Sequence, residues 1–66
     1  MLAIERKNEI LNKLRAEQRV LVSELAVHYG VTEETIRRDL DHLEQEGEVI
    51  RIHGGAMLNP DRKSVV

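Results

Sequence analysis

The sequence predicts an α+β domain of three helices followed by a β-hairpin, with a possible short third strand. Before Gly47, apolar residues recur at helical spacing in stretches separated by a glycine at position 30. After Gly47, the β-branched residues Val49, Ile50 and Ile52 fall within a run of four, which a glycine pair at positions 54 and 55 interrupts. A period of 3.6 residues indicates amphipathic helices, whereas a short β-branched run bounded by glycine is typical of a strand. The chain therefore changes from helices to a hairpin near Gly47.

The first helix is expected over residues 3–16. Ile10, Leu11 and Leu14 share one face of it, with Ile4 and Lys7 a turn or two earlier, and we expect that face to lie in the core. The rest of the same apolar centre is predicted to consist of Leu25, Ala26, Val31, Ile36, Leu40, Leu43 and Val49. The single aromatic residue, Tyr29, is expected to pack at the end of the second helix.

The second and third helices have the signals of a helix-turn-helix. Ser23 is a candidate N-cap for residues 24–29, and Gly30 stands where a helix ends in a left-handed residue. Thr32 then caps the third helix, which has acidic residues in its first turn, where the helix dipole favours them. A capped helix, a glycine corner and a second capped helix, in that order, predict this motif.

The third helix has an apolar inner side and a charged outer side. A rotation of 100° per residue places its inner positions at Ile36, Leu40, Leu43 and Gly47. The outer positions are Glu34, Arg38, Asp41 and Gln45.

The exposed N-terminal half of the third helix is the candidate reading surface for DNA. It offers Glu34, Thr35, Arg37 and Arg38. Arginine is the usual bidentate reader of guanine in the major groove, and hydroxyl groups commonly hold phosphates. The alternative is a solvated face held by i,i+4 ion pairs, for example Glu34 with Arg38.

The hairpin after Gly47 completes a winged helix-turn-helix. Residues 56–58 can form its second strand, and residues 20–22 can add a short third strand at the sheet edge. Arg51 and His53 lie on or near this wing, where a cation can reach a phosphate or the minor groove. The alternative is that the glycines form only a tight turn.

Residues 6–58 resemble the N-terminal domain of bacterial DeoR-family transcriptional repressors. The resemblance rests on TIRRDL at positions 35–40 and HGGA at 53–56, with supporting matches at Arg6, Ile10, Leu11, Leu14, Leu25, Ala26, Leu43, Gly47 and Arg51. Glu48 departs from the pattern, because an apolar residue is common there. The resemblance implies a double-stranded DNA operator as partner. It also implies a C-terminal domain that binds a phosphorylated sugar or similar metabolite, and homo-oligomers of the full-length protein.

We therefore expect a DNA-binding domain at residues 1–58 and a linker at 59–66 that leads toward an effector domain outside this sequence. The candidate DNA-binding residues are Ser23, Thr32, Glu34, Thr35, Arg37, Arg38, Arg51, His53, Gly54 and Gly55. Asp39 is expected to orient Arg37 or Arg51 through an ion pair.

Composition agrees with one small cytoplasmic module. A chain of 66 residues has room for one core, which buries about 60% of the unfolded surface. It has no cysteine, no long apolar run and no signal-peptide start, so we expect no disulfide and no membrane role. The net charge of −2 argues against DNA binding. Residues 23–47 hold seven acids and only two arginines, but both arginines fall on the third helix, and most of the acids can face away from DNA. Few phosphate contacts are therefore expected.

No catalytic, cofactor or metal site is expected. His28, His42 and His53 are spread over two helices and the wing, without the i,i+4 partner that a helical metal pair needs. The predicted function is sequence-specific DNA binding in a repressor of sugar or related metabolism. The alternative is a winged helix for protein–protein contact, for which the sequence shows no contiguous apolar patch.

Overall fold

A computed structural model describes residues 2–61, and it has the predicted order of elements. These are α1 (Ala3–Glu17), β1 (Arg19–Leu21), α2 (Val22–Tyr29), α3 (Glu33–Gln45), β2 (Val49–Ile52) and β3 (Gly55–Leu58). The winged helix-turn-helix predicted from the sequence is confirmed. We refer to α3 as the recognition helix and to β2, the turn at residues 53–54 and β3 as the wing.

The three strands form one antiparallel sheet in the order β1-β3-β2. Its inner face carries the row Val20, Ala56 and Arg51, and its outer face carries the row Arg19, Met57 and Ile50. The predicted third strand thus exists at the sheet edge. It spans Arg19–Leu21, and Val22 already belongs to α2.

The core is a single apolar cluster between the helices and the inner face of the sheet. Its members are Ile10, Leu11, Leu14, Val20, Val22, Leu25, Ala26, Ile36, Leu40, Leu43, Val49 and Ala56. Tyr29 and Val31 pack against it and are partly buried, as expected for the end of α2 and the corner after it. The Tyr29 hydroxyl donates to Glu9 at 3.2 Å. Burial together with this bond raises the pKa of Tyr29.

Ile4 does not belong to the core, contrary to the prediction. It is 58% exposed, and Lys7 is only half-buried. In this first part of α1, Arg6 is turned toward α3, where it binds Asp39. Positions two apart on a helix point about 200° apart, so Ile4 faces solvent.

The helix termini confirm two predicted signals and correct a third. Gly30 ends α2 with φ 67°, and Thr32 caps α3 because its hydroxyl accepts the Thr35 N–H at 3.2 Å. Ser23 is not an N-cap, since α2 begins one residue before it, after Leu21. The physical reason is that β1 runs directly into α2, and the Val22 N–H donates to the Gly54 carbonyl of the wing at 2.9 Å.

Hydrogen bonds hold Asn59, the first residue after β3, against the start of the wing. The Asn59 N–H donates to the Glu48 carbonyl at 3.1 Å, and its side-chain amide donates to the Gly47 carbonyl at 3.0 Å. Most of the predicted linker, residues 62–66, lies outside the described part of the chain. None of the helices within residues 2–61 is long and apolar enough to cross a membrane.

Candidate nucleic-acid interface

The N-terminal half of the recognition helix presents its polar side chains to solvent. The side chains of Arg37 and Arg38 are 56% and 69% exposed. Ile36 and Leu40 on the other side are buried, which anchors the helix in the core. The hydroxyls of Thr32 and Thr35 lie 2.9 Å apart at the start of the helix. The predicted division into an inner and an outer side is confirmed within the helix, and the two arginines project outward. Gly47, predicted as an inner position, lies beyond the end of α3 at Gln45, because the chain turns there with φ 79° at Gly47.

Each of these arginines has a carboxylate one turn before it. Arg37 Nη2 lies 3.2 Å from Glu33 Oε1, and Arg38 Nη2 lies 3.9 Å from Glu34 Oε2. The pair between Glu34 and Arg38 is the one that the solvated-face alternative predicts. Exposed pairs of this kind contribute about 0–1 kcal/mol, so the guanidinium groups exchange partners at little cost. Glu33 is not among the predicted site residues, although its spacing to Arg37 is the same i,i+4 signal.

A groove separates the recognition helix from the wing. Its volume is about 310 Å³, and its walls bring together five of the predicted site residues: Ser23, Arg37, Arg51, His53 and Gly54. They come from α2, α3 and the wing, so this fold joins positions that are up to 31 residues apart in the sequence. Glu33 also lines the groove. The groove therefore has two guanidinium groups and an imidazole on its walls.

Arg51 is held between the wing and the recognition helix. Its side chain is 25% exposed and forms an ion pair with Asp41, while its Nε donates to the Gly55 carbonyl at 3.3 Å. Its Nη1 also lies 3.5 Å from the Arg37 carbonyl, within hydrogen-bond reach. Arg51 is thus part of the groove wall and, at the same time, a link between two elements.

Asp39 has a different partner from the one predicted. Its carboxylate accepts two bonds from the Arg6 guanidinium, from Nε and, at 3.2 Å, from Nη2. The helix period explains the correction, because Asp39 lies on the buried side of α3 with Ile36 and Leu43. Arg37 points outward, and Arg51 reaches Asp41 instead. The bonds from Arg6 to Asp39 raise the pKa of Arg6.

The two wing glycines occupy different environments. Gly54 lies in the exposed turn, whereas Gly55 is buried in β3 opposite Leu21. A Cβ atom on Gly55 would collide with the Val20 carbonyl oxygen, so only glycine permits the close approach of β1. Gly55 therefore sets how closely β1 and β3 approach, and it does not line the groove.

The outer face of the sheet exposes apolar side chains that sequence analysis did not group together. Leu21, Ile50 and Met57 are 41%, 38% and 37% exposed, and Ile50 lies directly opposite Met57. Their proximity depends on the pairing of distant strands, which single-sequence periodicity does not report.

The three histidines are exposed and lie apart from one another in the sequence. Within residues 2–61, no group of three or more His, Cys, Asp or Glu side chains is arranged to hold a metal ion.

Comparison with known proteins identifies a matching family and relatives. A sequence model of the DeoR-like helix-turn-helix domain matches residues 6–62. The chain is 42% identical over 66 residues to YulB, an uncharacterised HTH-type transcriptional regulator of Bacillus subtilis (strain 168), covering 100% of this chain and 26% of that protein. It is 46% identical over 56 residues to a putative galactitol utilization operon repressor of Escherichia coli (strain K12), covering 85% and 50% of the two chains.

A third relative is the glycerol-3-phosphate regulon repressor of Escherichia coli (strain K12). The identity is 39% over 54 residues, which cover 82% of this chain and 21% of the relative. This chain therefore spans between about a fifth and a half of the length of these three proteins. No solved structure matches it.

Proposed function

Since this chain belongs to the family of DeoR-like helix-turn-helix domains, we propose that it binds duplex DNA with a preference for particular sequences. The observation that carries this proposal is the pair of exposed arginines on the first half of a capped helix, next to a polar groove. A helix of this kind enters the major groove with its N-terminal residues against base edges.

Base reading is assigned to Arg37 and Arg38, with Glu34 and Thr35 beside them. One arginine donates two bonds to the O6 and N7 atoms of guanine, and the other contacts a phosphate. Their present carboxylate partners are exposed and weakly held, so the exchange for a base is inexpensive. A carboxylate such as that of Glu34 can accept from the amino group of cytosine.

Contacts to the DNA backbone are assigned to four residues that line the groove and to Thr32 at the start of the recognition helix. Ser23, Thr32 and Gly54 offer hydroxyl or backbone groups, while Arg51 and His53 offer ring or guanidinium nitrogens on the wing. Such contacts position the domain on the duplex and carry no sequence information of their own. Gly55 supports them by keeping β1 close to β3.

The biological role that we infer is repression of genes for sugar or related metabolism in the cytoplasm. Its support is the relatives named as repressors of galactitol utilization and of the glycerol-3-phosphate regulon. This chain spans only part of their length. We therefore assign two further properties to the full-length protein: binding of a phosphorylated sugar as effector, and homo-oligomerisation. Residues 1–58 then form the DNA-binding domain and residues 59–66 the linker.

Selection from a pool of random duplexes tests the DNA-binding proposal. The enriched duplex should bind more tightly than the unselected pool when both are titrated at the same salt concentration. Equal affinity of the chain for the selected and the random duplexes would rule out sequence preference.

Protein–protein contact is the second candidate function, and the apolar residues on the outer face of the sheet favour it. Replacing Ile50 and Met57 by threonine removes much of that apolar surface. Threonine is polar, and as a β-branched residue it is also favoured in strands. If the domain reads DNA through α3, this variant keeps its affinity for the selected duplex. A chain that binds no duplex even at low salt would leave the outer face as the better candidate.

A further inference from the structure

A buried ion pair joins the first helix to the recognition helix. Among residues 2–61, Asp39 is the one polar or charged residue classed as buried, with 4% of its surface exposed. The Arg6 side chain that meets it is 11% exposed. Two nitrogens of the guanidinium donate to the two oxygens of the carboxylate, which makes the contact bidentate.

Such a pair is a poor way to gain stability. Burying two charges removes their hydration, and their attraction often only compensates for that loss. Two apolar side chains of similar size would fill the same space at least as well. Both helices already contribute apolar side chains to the one core, including Ile10 from α1 and Ile36 from α3. The pair therefore calls for an explanation other than core packing.

What the pair adds is a constraint on the orientation of the recognition helix. Apolar packing tolerates small rotations of a helix, whereas a bidentate guanidinium–carboxylate contact requires both planes to align. Asp39 is the next residue after the exposed Arg38, on the same rigid helix. Any rotation of α3 about its axis that breaks the contact with Arg6 also moves the outward-facing arginines across the surface.

We propose that Arg6 and Asp39 are positioning residues that set the rotation of the recognition helix, and with it the sequence preference of the domain. This inference rests on the proposed DNA-binding function. Neither side chain is on the exposed face proposed to meet DNA, because Asp39 is on the buried side of α3 and Arg6 lies against it. They affect sequence preference indirectly, by setting the positions of Arg37 and Arg38.

The decisive variant is Arg6→Met combined with Asp39→Leu, which replaces the ion pair by apolar side chains. We measure its thermal unfolding together with its affinities for the selected duplex and for random duplex. The expected result is a melting temperature near or above that of the parent chain, while the ratio of the two affinities falls about tenfold, equivalent to weakening one base-reading contact. The control is Lys13→Ala with Glu17→Ala, which removes an exposed ion pair of α1 and leaves the ratio unchanged.

An unchanged ratio in the folded double variant overturns the proposal and leaves the pair a structural contact only. If that variant fails to fold, Arg6→Lys decides, because lysine keeps the charge but loses the bidentate geometry. In Arg6→Lys we expect a reduced ratio with retained affinity for random duplex, and a ratio equal to the parent's overturns the proposal. A parent chain that shows no sequence preference contradicts the proposed function itself, which separates that failure from this one.

Discussion

The guanidinium of Arg51 and the carboxylate of Asp41 form an ion pair that joins the wing to the recognition helix. The same guanidinium donates to the carbonyl of Gly55 and reaches that of Arg37. A charge placed in this way is already partly neutralised before DNA arrives. It also makes the position of the wing depend on the helix that it flanks.

Replacing Arg51 by alanine should weaken binding to selected and random duplexes by similar factors. The reason is that a contact to phosphate is independent of sequence, so its loss should also reduce the salt dependence, by about one unit of slope in log affinity against log salt. Titrations at several salt concentrations measure both. Arg15→Ala, which removes an exposed cation of α1 outside the proposed surface, is the matched control. An unaltered slope in Arg51→Ala would contradict a phosphate contact.

Replacing Asp41 by asparagine should have the opposite effect on the salt dependence. The substitution removes the carboxylate that neutralises Arg51 and keeps a side chain of nearly the same shape. Affinity for random duplex should therefore rise, and the slope should steepen by up to about one unit. A decrease in affinity would show that the link between wing and helix matters more than the freed charge.

Replacing Arg37 or Arg38 by alanine should separate base reading from backbone contact. The variant that loses the base contact is expected to lose about 1–3 kcal/mol on the selected duplex and to relax preference at one base pair. The other variant should weaken all duplexes alike. Repeating the duplex selection with each variant identifies the position. Equal losses on selected and random duplexes in both variants would remove the base-reading assignment.

Neutralising Glu33 and Glu34 should increase binding to random DNA. Each carboxylate holds one of the exposed arginines and repels phosphates at the surface where DNA is expected. Glu33→Gln with Glu34→Gln should raise the affinity for random duplex and steepen its salt slope. Glu46→Gln, an exposed acid at the far end of the same helix, should change neither. If Glu46→Gln strengthens binding by about half as much, in free energy, as the double variant, only net charge is involved.

Thr32→Ala and Ser23→Ala should differ in their effect on stability. Thr32 caps the recognition helix, and loss of a cap costs about 1 kcal/mol in free energy of unfolding. Ser23 is exposed inside the first turn of α2 and caps nothing in this structure, so its replacement should change stability by less than about 0.5 kcal/mol. Urea unfolding of the two variants measures the difference. A larger loss in Ser23→Ala would restore it as the cap.

The recognition helix was predictable because its information is local. Thr32, the acids after it and the buried positions Ile36, Leu40 and Leu43 all follow from spacing along one helix. The corner at Gly30 is local in the same way. The prediction of Ser23 as a cap was wrong because a strand, Arg19–Leu21, leads directly into α2, which then begins at Val22. The first amide of α2, that of Val22, donates to the Gly54 carbonyl of the wing, a long-range contact that local spacing does not report.

The ion pairs across elements were not predictable by the same route. Arg6 meets Asp39 over a separation of 33 residues, and Arg51 meets Asp41 from a strand that packs on the helix. Several acids lie near each arginine in the sequence, and only the packing of the helices and sheet selects among them. The apolar pair of Ile50 and Met57 likewise depends on strand register.

The order of the sheet has a consequence for how this chain acquires its shape during synthesis. The middle strand, Gly55–Leu58, leaves the ribosome after both strands that flank it. Until it arrives, Arg19–Leu21 is a strand without a neighbour, and the amide of Val22 lacks the carbonyl of Gly54. A chain in which Gly55–Leu58 has not yet paired therefore leaves the edges of both flanking strands open, a state prone to aggregation. The sheet is complete only when this last strand has paired with both of its neighbours.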